Sequence, residues 1–223
     1  LGMLALEQNR ADEALALQEE SIAIKRTLWG PQSVRLAIAR FSTARNLWNL
    51  RHLALAEAEL RASWDIVREA LGPENATSAR IELFLGRLTV YLGLKPDGLA
   101  HLQHASEIIL RHADSFDAYV VLDARVAVAN ALVLDGRLAD AGPALREALA
   151  LRAKQQTSDR VDPTLDQSQG RYLLDLGRYD EALAWLEDLR SRTAARYGAD
   201  HPETAERRLR IAQVLLAQGR MAD

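Results

Sequence analysis

The residues of this chain best suited to binding are arginines that return at one fixed interval. Arg45, Arg87 and Arg171, with Asn130 between the last two, are separated by steps of 42, 43 and 41 residues. A guanidinium presents a rigid fork of N–H donors, so such a row could make bidentate bonds to the carboxylates of a partner. Other residues keep the same interval beside it: Phe41, Leu83 and Val126; Trp48, Val90, Val133 and Leu174; Asn49, Tyr91 and Asp175. Aromatic anchors ringed by arginine are what a recognition surface favours. The competing use of these arginines is internal, as ion pairs with Glu82, Asp123 or Asp175.

His101, His104 and His112 form a second cluster, and the first two are spaced to share one helix face. Two such histidines could ligate a transition metal, but no third ligand keeps a comparable spacing. A solvated helix face is therefore expected, with no metal and no cofactor. His201-Pro202 reads as a helix N-terminus. The chain has no cysteine, which excludes disulfides, thiolate metal sites and a cysteine nucleophile. No dinucleotide fingerprint, phosphate loop, His-Glu-x-x-His or Gly-x-Ser-x-Gly occurs, so the chain is expected not to be an enzyme. A net charge of −3 leaves no global nucleic-acid footprint. The short run Arg207, Arg208 and Arg210 reads as a solvated face of the last helix, and Trp29, Trp64 and Trp185 read as packing residues. The longest nearly apolar stretch, residues 126–134, is far too short for a membrane span. A cytoplasmic location is expected.

These side chains must be positioned by helices. Of the 223 residues, 38 are Ala and 38 are Leu, both strong helix formers, and only 5% are aromatic. Of the 28 basic residues only Lys25, Lys95 and Lys154 are lysines, a bias that points to a GC-rich bacterial coding sequence. The helices fall at about 1–8, 11–29, 33–50, 52–71, 75–92, 97–112, 116–135, 138–155, 163–176, 179–196 and 202–218. Residues 156–166 make the longest loop, and Pro143 falls near a first helical turn.

A repeat organises them. One small residue recurs at Gly2, Ala44, Gly86, Ala129, Gly170 and Ala212, and another at Ala14, Ala56, Gly98, Ala141 and Ala182. A bulky side chain at either place would push neighbouring helix axes apart. Leu60, Leu102, Leu145 and Leu186, then Ile24, Ile66, Ile108 and Leu151, are expected on the inward stripe of the second helix of each pair. The fold class is thus all-α: a solenoid of about five to six antiparallel helix pairs, a single domain over 1–223. Its repeats cover about 1–31, 32–73, 74–114, 115–160, 161–200 and a partial 201–223. The phase at both ends suggests a segment of a longer protein, and apolar ends could drive end-to-end self-association.

The motif small-x6-Gly-Arg-Tyr-x-Glu-Ala, best seen from Gly170 through Gly177, Tyr179 and Ala182 to Leu186, resembles the tetratricopeptide repeat. The 42-residue unit and the junction Gly198-Ala199-Asp200-His201-Pro202-Glu203-Thr204-Ala205 are similar to its kinesin-light-chain-like subtype. In the second repeat Arg51 replaces the turn glycine. A HEAT-like repeat is the alternative. The resemblance implies a right-handed superhelix with the first helix of each pair on the concave face, and a non-enzymatic scaffold binding a peptide or partner domain there. The residues so placed are Phe41, Arg45, Trp48, Asn49, Leu83, Arg87, Tyr91, Asn130, Arg171 and Asp175. It also implies a regulatory part of a larger bacterial protein such as a Ser/Thr kinase, or else a ligand-sensing domain of a transcriptional regulator.

Overall fold

The computed structural model describes residues 11–154 and 163–219. Ten α-helices are described: α1 (Ala11–Trp29), α2 (Val34–Asn49), α3 (Leu53–Leu71), α4 (Ala76–Tyr91), α5 (Lys95–Arg111), α6 (Ala118–Leu134), α7 (Leu138–Lys154), α8 (Pro163–Asp175), α9 (Tyr179–Tyr197) and α10 (Pro202–Ala217). A single 3-10 turn, Ala113–Ser115, precedes α6. The expected helix at 1–8, with Gly2, lies outside the described residues. The contacts divide the chain into two compact units, Leu1–Ala124 and Arg125–Asp223, with the boundary inside α6.

Local chemistry sets where the helices begin. Ser33 Oγ accepts the backbone N–H of Arg35, and Asn75 Oδ1 accepts that of Thr77. At the equivalent place His201 Nδ1 accepts from Glu203, with Pro202 in the first turn, where a missing N–H is harmless. Between the helices of a pair the chain turns through a left-handed residue, Gly93, Gly136 or Gly177. In the second repeat Arg51 itself takes φ 65°, a conformation that disfavours a side chain. Pro143 sits inside α7, in its second turn rather than near its first. α8 begins at Pro163, where the helix at 163–176 was expected, so the C-terminal end of the expected 156–166 loop is helix.

In the first unit α2 packs on α3 and α4 on α5, with the small residues at the contacts. Ala44 and Ala56 are fully buried. A Cβ on Gly98 would lie 2.6 Å from Val90 Cγ2, 2.7 Å from the Val90 backbone nitrogen and 2.8 Å from the Gly86 carbonyl oxygen. These two backbones touch, and only glycine allows it. Around them Leu36, Phe41, Leu47, Leu60, Val67, Ile81, Leu85 and Leu88 form a continuous core. Ser63 ties α3 to α2 by donating to the Ala37 carbonyl at 2.7 Å.

In the second unit Ala129, Ala141 and Ala182 are likewise fully buried, and Gly170 meets Leu186. Leu173, Leu186, Leu189, Ile211 and Val214 close the core between α8, α9 and α10. Three inward assignments fail. Ala212 is exposed, because no described helix follows α10 to cover it. Ile24 is 52% exposed while Ile22 is buried; two residues along a helix is about 200° around it, so only one of them can face α2. Leu151 is only half-buried.

Candidate partner-binding site

In the first unit, α2 and α4 bring most of the predicted row together. Phe41 and Phe84 meet edge to face at 5.0 Å. The Arg45 guanidinium lies over both rings, 5.4 Å from the Phe84 centroid and 5.9 Å from that of Phe41. Arg45 is exposed, and no carboxylate pairs with it among the described residues. One turn further along, Trp48 tilts against Tyr91 at 6.3 Å, and Tyr91 is 53% exposed. Arg51 covers that ring at 5.6 Å and donates to the Tyr91 hydroxyl. Its left-handed backbone at the turn is what delivers the side chain there. Asn49 is exposed beside them. The result is an arginine-capped aromatic surface on the first helices of the second and third repeats.

Arg87 is committed differently. It donates to the backbone oxygen of Asp123 at 3.0 Å and pairs with the Asp123 carboxylate, so its charge is answered within the chain. Leu83 does not belong to the surface at all. It is 1% exposed, as the equivalent Phe41 and Val126 are buried at 8% and 1%, so this position of the repeat faces inward. Phe41 is also largely buried, with one ring edge supporting Arg45. Phe84, absent from the predicted row, takes the place intended for Leu83. Its signal was an aromatic residue one position out of phase.

The second unit gathers Asn130, Val133, Arg171 and Leu174 of the row, each from a first helix of its pair, around a cleft of about 280 Å³, whereas Val126 and Asp175 do not line it. Gln167, Ser168, Arg210 and Gln213 complete the lining. Its charges are internally matched: Arg171 pairs with Asp175 at 2.8 Å and Arg210 with Glu206 at 2.9 Å. Asn130 bonds the Ser168 hydroxyl at 2.9 Å. A further cleft of about 390 Å³, between α1, α2 and α3, contains none of the predicted residues; Arg40 and Glu59 line it and pair at 2.9 Å.

His101 and His104 depart from the solvated face expected of them. Both rings donate from Nδ1 to one buried carboxylate, Glu82, at 3.0 and 2.7 Å. Glu82 therefore does not pair with an arginine. No group of three metal-ligating side chains occurs among the described residues. Arg207, read as part of a solvated basic run, is 2% exposed. Trp64 and Trp185 pack against the two cores as expected, whereas Trp29 is 39% exposed at the end of α1. No described helix is long and apolar enough to cross a membrane.

Tetratricopeptide-repeat family models match residues 163–223 and 1–34. No curated protein matches the sequence significantly. Among solved structures, the nearly identical repeats of a Podosopora anserina chain described as a kinesin light chain align with TM-score 0.69 at 19% identity, over 88% of this chain and 93% of that one. A single-substitution form of the same protein gives 0.71 at 20%, over 87% and 92%. Aspartyl phosphate phosphatase F from Bacillus subtilis aligns with TM-score 0.75 at 14% identity, over 96% of this chain but 54% of its own length. At these identities the likeness is one of fold. The small-residue contacts that space the helix pairs thus sit in a tetratricopeptide-repeat fold, the chain carries tetratricopeptide repeats at residues 1–34 and 163–223, and its fold is like that of the kinesin-light-chain-type repeats.

Proposed function

We propose that the chain is a non-catalytic scaffold that holds a carboxylate-bearing segment of a partner protein on the first helices of its second and third repeats. Tetratricopeptide repeats are in general protein-interaction modules. The observation that carries the finer reading is Arg45, an exposed guanidinium fixed over Phe41 and Phe84 with no carboxylate of its own among the described residues. It offers directed N–H donors beside apolar surface, so an acidic residue next to an aromatic or aliphatic one fits it. Asn49, Trp48 and Tyr91 extend the contact. Arg87 supports it by holding Asp123, whereas Asn130 and Arg171 line a separate cleft within the second unit, where Asp175 pairs with Arg171.

The test uses two series of capped decapeptides, one carrying Asp or Glu beside Leu or Trp and one carrying Asn or Gln instead, titrated by fluorescence anisotropy. Losing a charge-assisted hydrogen bond costs about 1.5–3 kcal/mol, so Arg45→Ala should weaken the acidic series about tenfold or more. Acidic and neutral series binding alike, or Arg45→Ala leaving the acidic series unchanged, overturns the assignment. The setting we propose is cytoplasmic, in a regulatory part of a larger bacterial protein such as a Ser/Thr kinase. The arginine-over-lysine bias supports a bacterial source.

The cleft of the second unit, about 280 Å³, favours one alternative, a ligand-sensing domain of a transcriptional regulator. Compaction on adding a small molecule, followed by small-angle scattering, separates it from a constitutive scaffold.

A further inference from the structure

Each helix pair carries a charged residue four positions before its small contact residue: Arg40, Glu82, Arg125 and Asp166. Each reaches a helix of the second type. Arg40 pairs with Glu59 at 2.9 Å, Arg125 with Glu147 at 3.2 Å and Asp166 with Arg152 at 2.8 Å. In these three rungs the cation is arginine, which stays charged at any pH the fold survives. The third repeat is built otherwise. Glu82 is the anion, its side chain 4% exposed, and its two oxygens are taken by His101 and His104. A carboxylate only accepts, so both Nδ1 atoms must carry hydrogen. With both rings neutral those bonds persist, but neither of the two groups bonded to the buried carboxylate then carries a positive charge.

The surroundings supply little else. From α3, Trp64 meets His101 edge-on at 5.3 Å, with Arg68 stacked over the indole at 4.6 Å. Ahead of α4, Glu74 lies 3.6 Å from His104 Nε2 and is itself held by Arg111 of α5. A second carboxylate next to His104 favours its charged form further.

We propose that the α4–α5 pair is a proton-operated latch, shut while His104 carries positive charge against Glu82, whose other oxygen His101 holds, and loosened when that charge is lost. The direction of His104 agrees. Its hydrogen bond to Glu82 raises it above the ordinary 6.5, opposed by desolvation and aided by the charges of Glu82 and Glu74. A group raised in the folded state stabilises fully below 6.5, and that stabilisation is lost as pH rises through the raised value. Since α4 also carries Phe84, Arg87 and Tyr91, loosening acts on the surface assigned to the partner, yet the latch stands whether or not that assignment does.

The experiment is hydrogen exchange with mass spectrometry on the full chain at about pH 6 and pH 8.5, each peptide corrected for its intrinsic exchange rate. Protection of α4 and α5 should fall at least about threefold more than that of α2 and α3. His104→Arg supplies a permanent charge and should hold α4–α5 protection constant between the two conditions. Glu82→Gln removes the buried charge and should do the same. Equal protection of wild-type α4–α5 at both pH values overturns the proposal, and so does an undiminished fall in His104→Arg. If Glu82→Gln does not fold, the wild-type and His104→Arg comparison decides alone.

Discussion

Replacing Gly98 by alanine puts the repeat geometry to its sharpest test. Alanine is the better helix former by about 1 kcal/mol, so an exposed Gly→Ala change of this kind would stabilise. Here the new Cβ meets backbone at 2.7 Å (Val90 N) and 2.8 Å (Gly86 O) as well as Val90 Cγ2 at 2.6 Å, where ordinary contact begins at 3.4 Å. Rotating Val90 relieves only the last of these. The backbone contacts require α4 and α5 to separate by roughly half an ångström, in an interior packed as densely as a crystal. Overpacking of this kind costs about 1–3 kcal/mol, and a backbone clash belongs at or above the upper end. After the propensity gain a net loss of about 2 kcal/mol remains, or roughly 4–8 °C in melting temperature for a chain of this size. Gly170→Ala is the matched control. Its Cβ would touch only Leu186 side-chain atoms, the nearest at 3.1 Å, and a leucine tip can move, so its effect should stay within about 1 kcal/mol. Thermal and urea unfolding followed by circular dichroism measure both. If Gly98→Ala proves as stable as Gly170→Ala, the close approach of the two backbones is not what spaces the pairs.

Other perturbations follow from named contacts. Arg207 is buried with Nε and Nη1 lacking partners among the described residues and one bond, 3.3 Å, to Glu203. The equivalent positions one to three repeats earlier hold Leu165, Ala124 and Ile81, all buried, so Arg207→Leu should stabilise by about 1–3 kcal/mol, visible as a higher urea midpoint. Ser63→Ala leaves the Ala37 carbonyl without its 2.7 Å donor and should cost about 1 kcal/mol in the same assay. With His104 raised in the folded chain, the melting temperature should decline from pH 6 to pH 8.5, and Glu82→Gln should flatten that decline.

The repeat was legible in the sequence because the small residues mark where helices touch, and touching is a geometric demand that Gly or Ala meets at every turn of the pattern. Ala44, Ala56, Gly86, Gly98, Ala129, Ala141, Gly170 and Ala182 are all buried. Ala212 kept the phase but is exposed, since periodicity reports on a repeat and burial on its neighbours. The arginine row kept its phase too, yet spacing cannot say where a long side chain ends. Arg45 reaches over Phe84, Arg87 is drawn to Asp123 and Arg171 to Asp175. The charged residue four places before Ala44, Gly86, Ala129 and Gly170 is equally regular but gives no residue-type signal, because Arg, Glu, Arg and Asp do not share one sign or length. Its signal was position, not residue type.

That alternation of sign has a consequence for a chain whose hairpins resemble one another. Similar repeats invite mispairing while folding, when a helix can dock onto its neighbour's mate. Were α4 to take the place of α2 on α3, Glu82 would confront Glu59; were α2 to take the place of α4 on α5, Arg40 would face His101 in place of an acid. The second and third hairpins thus disfavour an exchange of partners with each other, and a uniform consensus unit in their place would lose that discrimination.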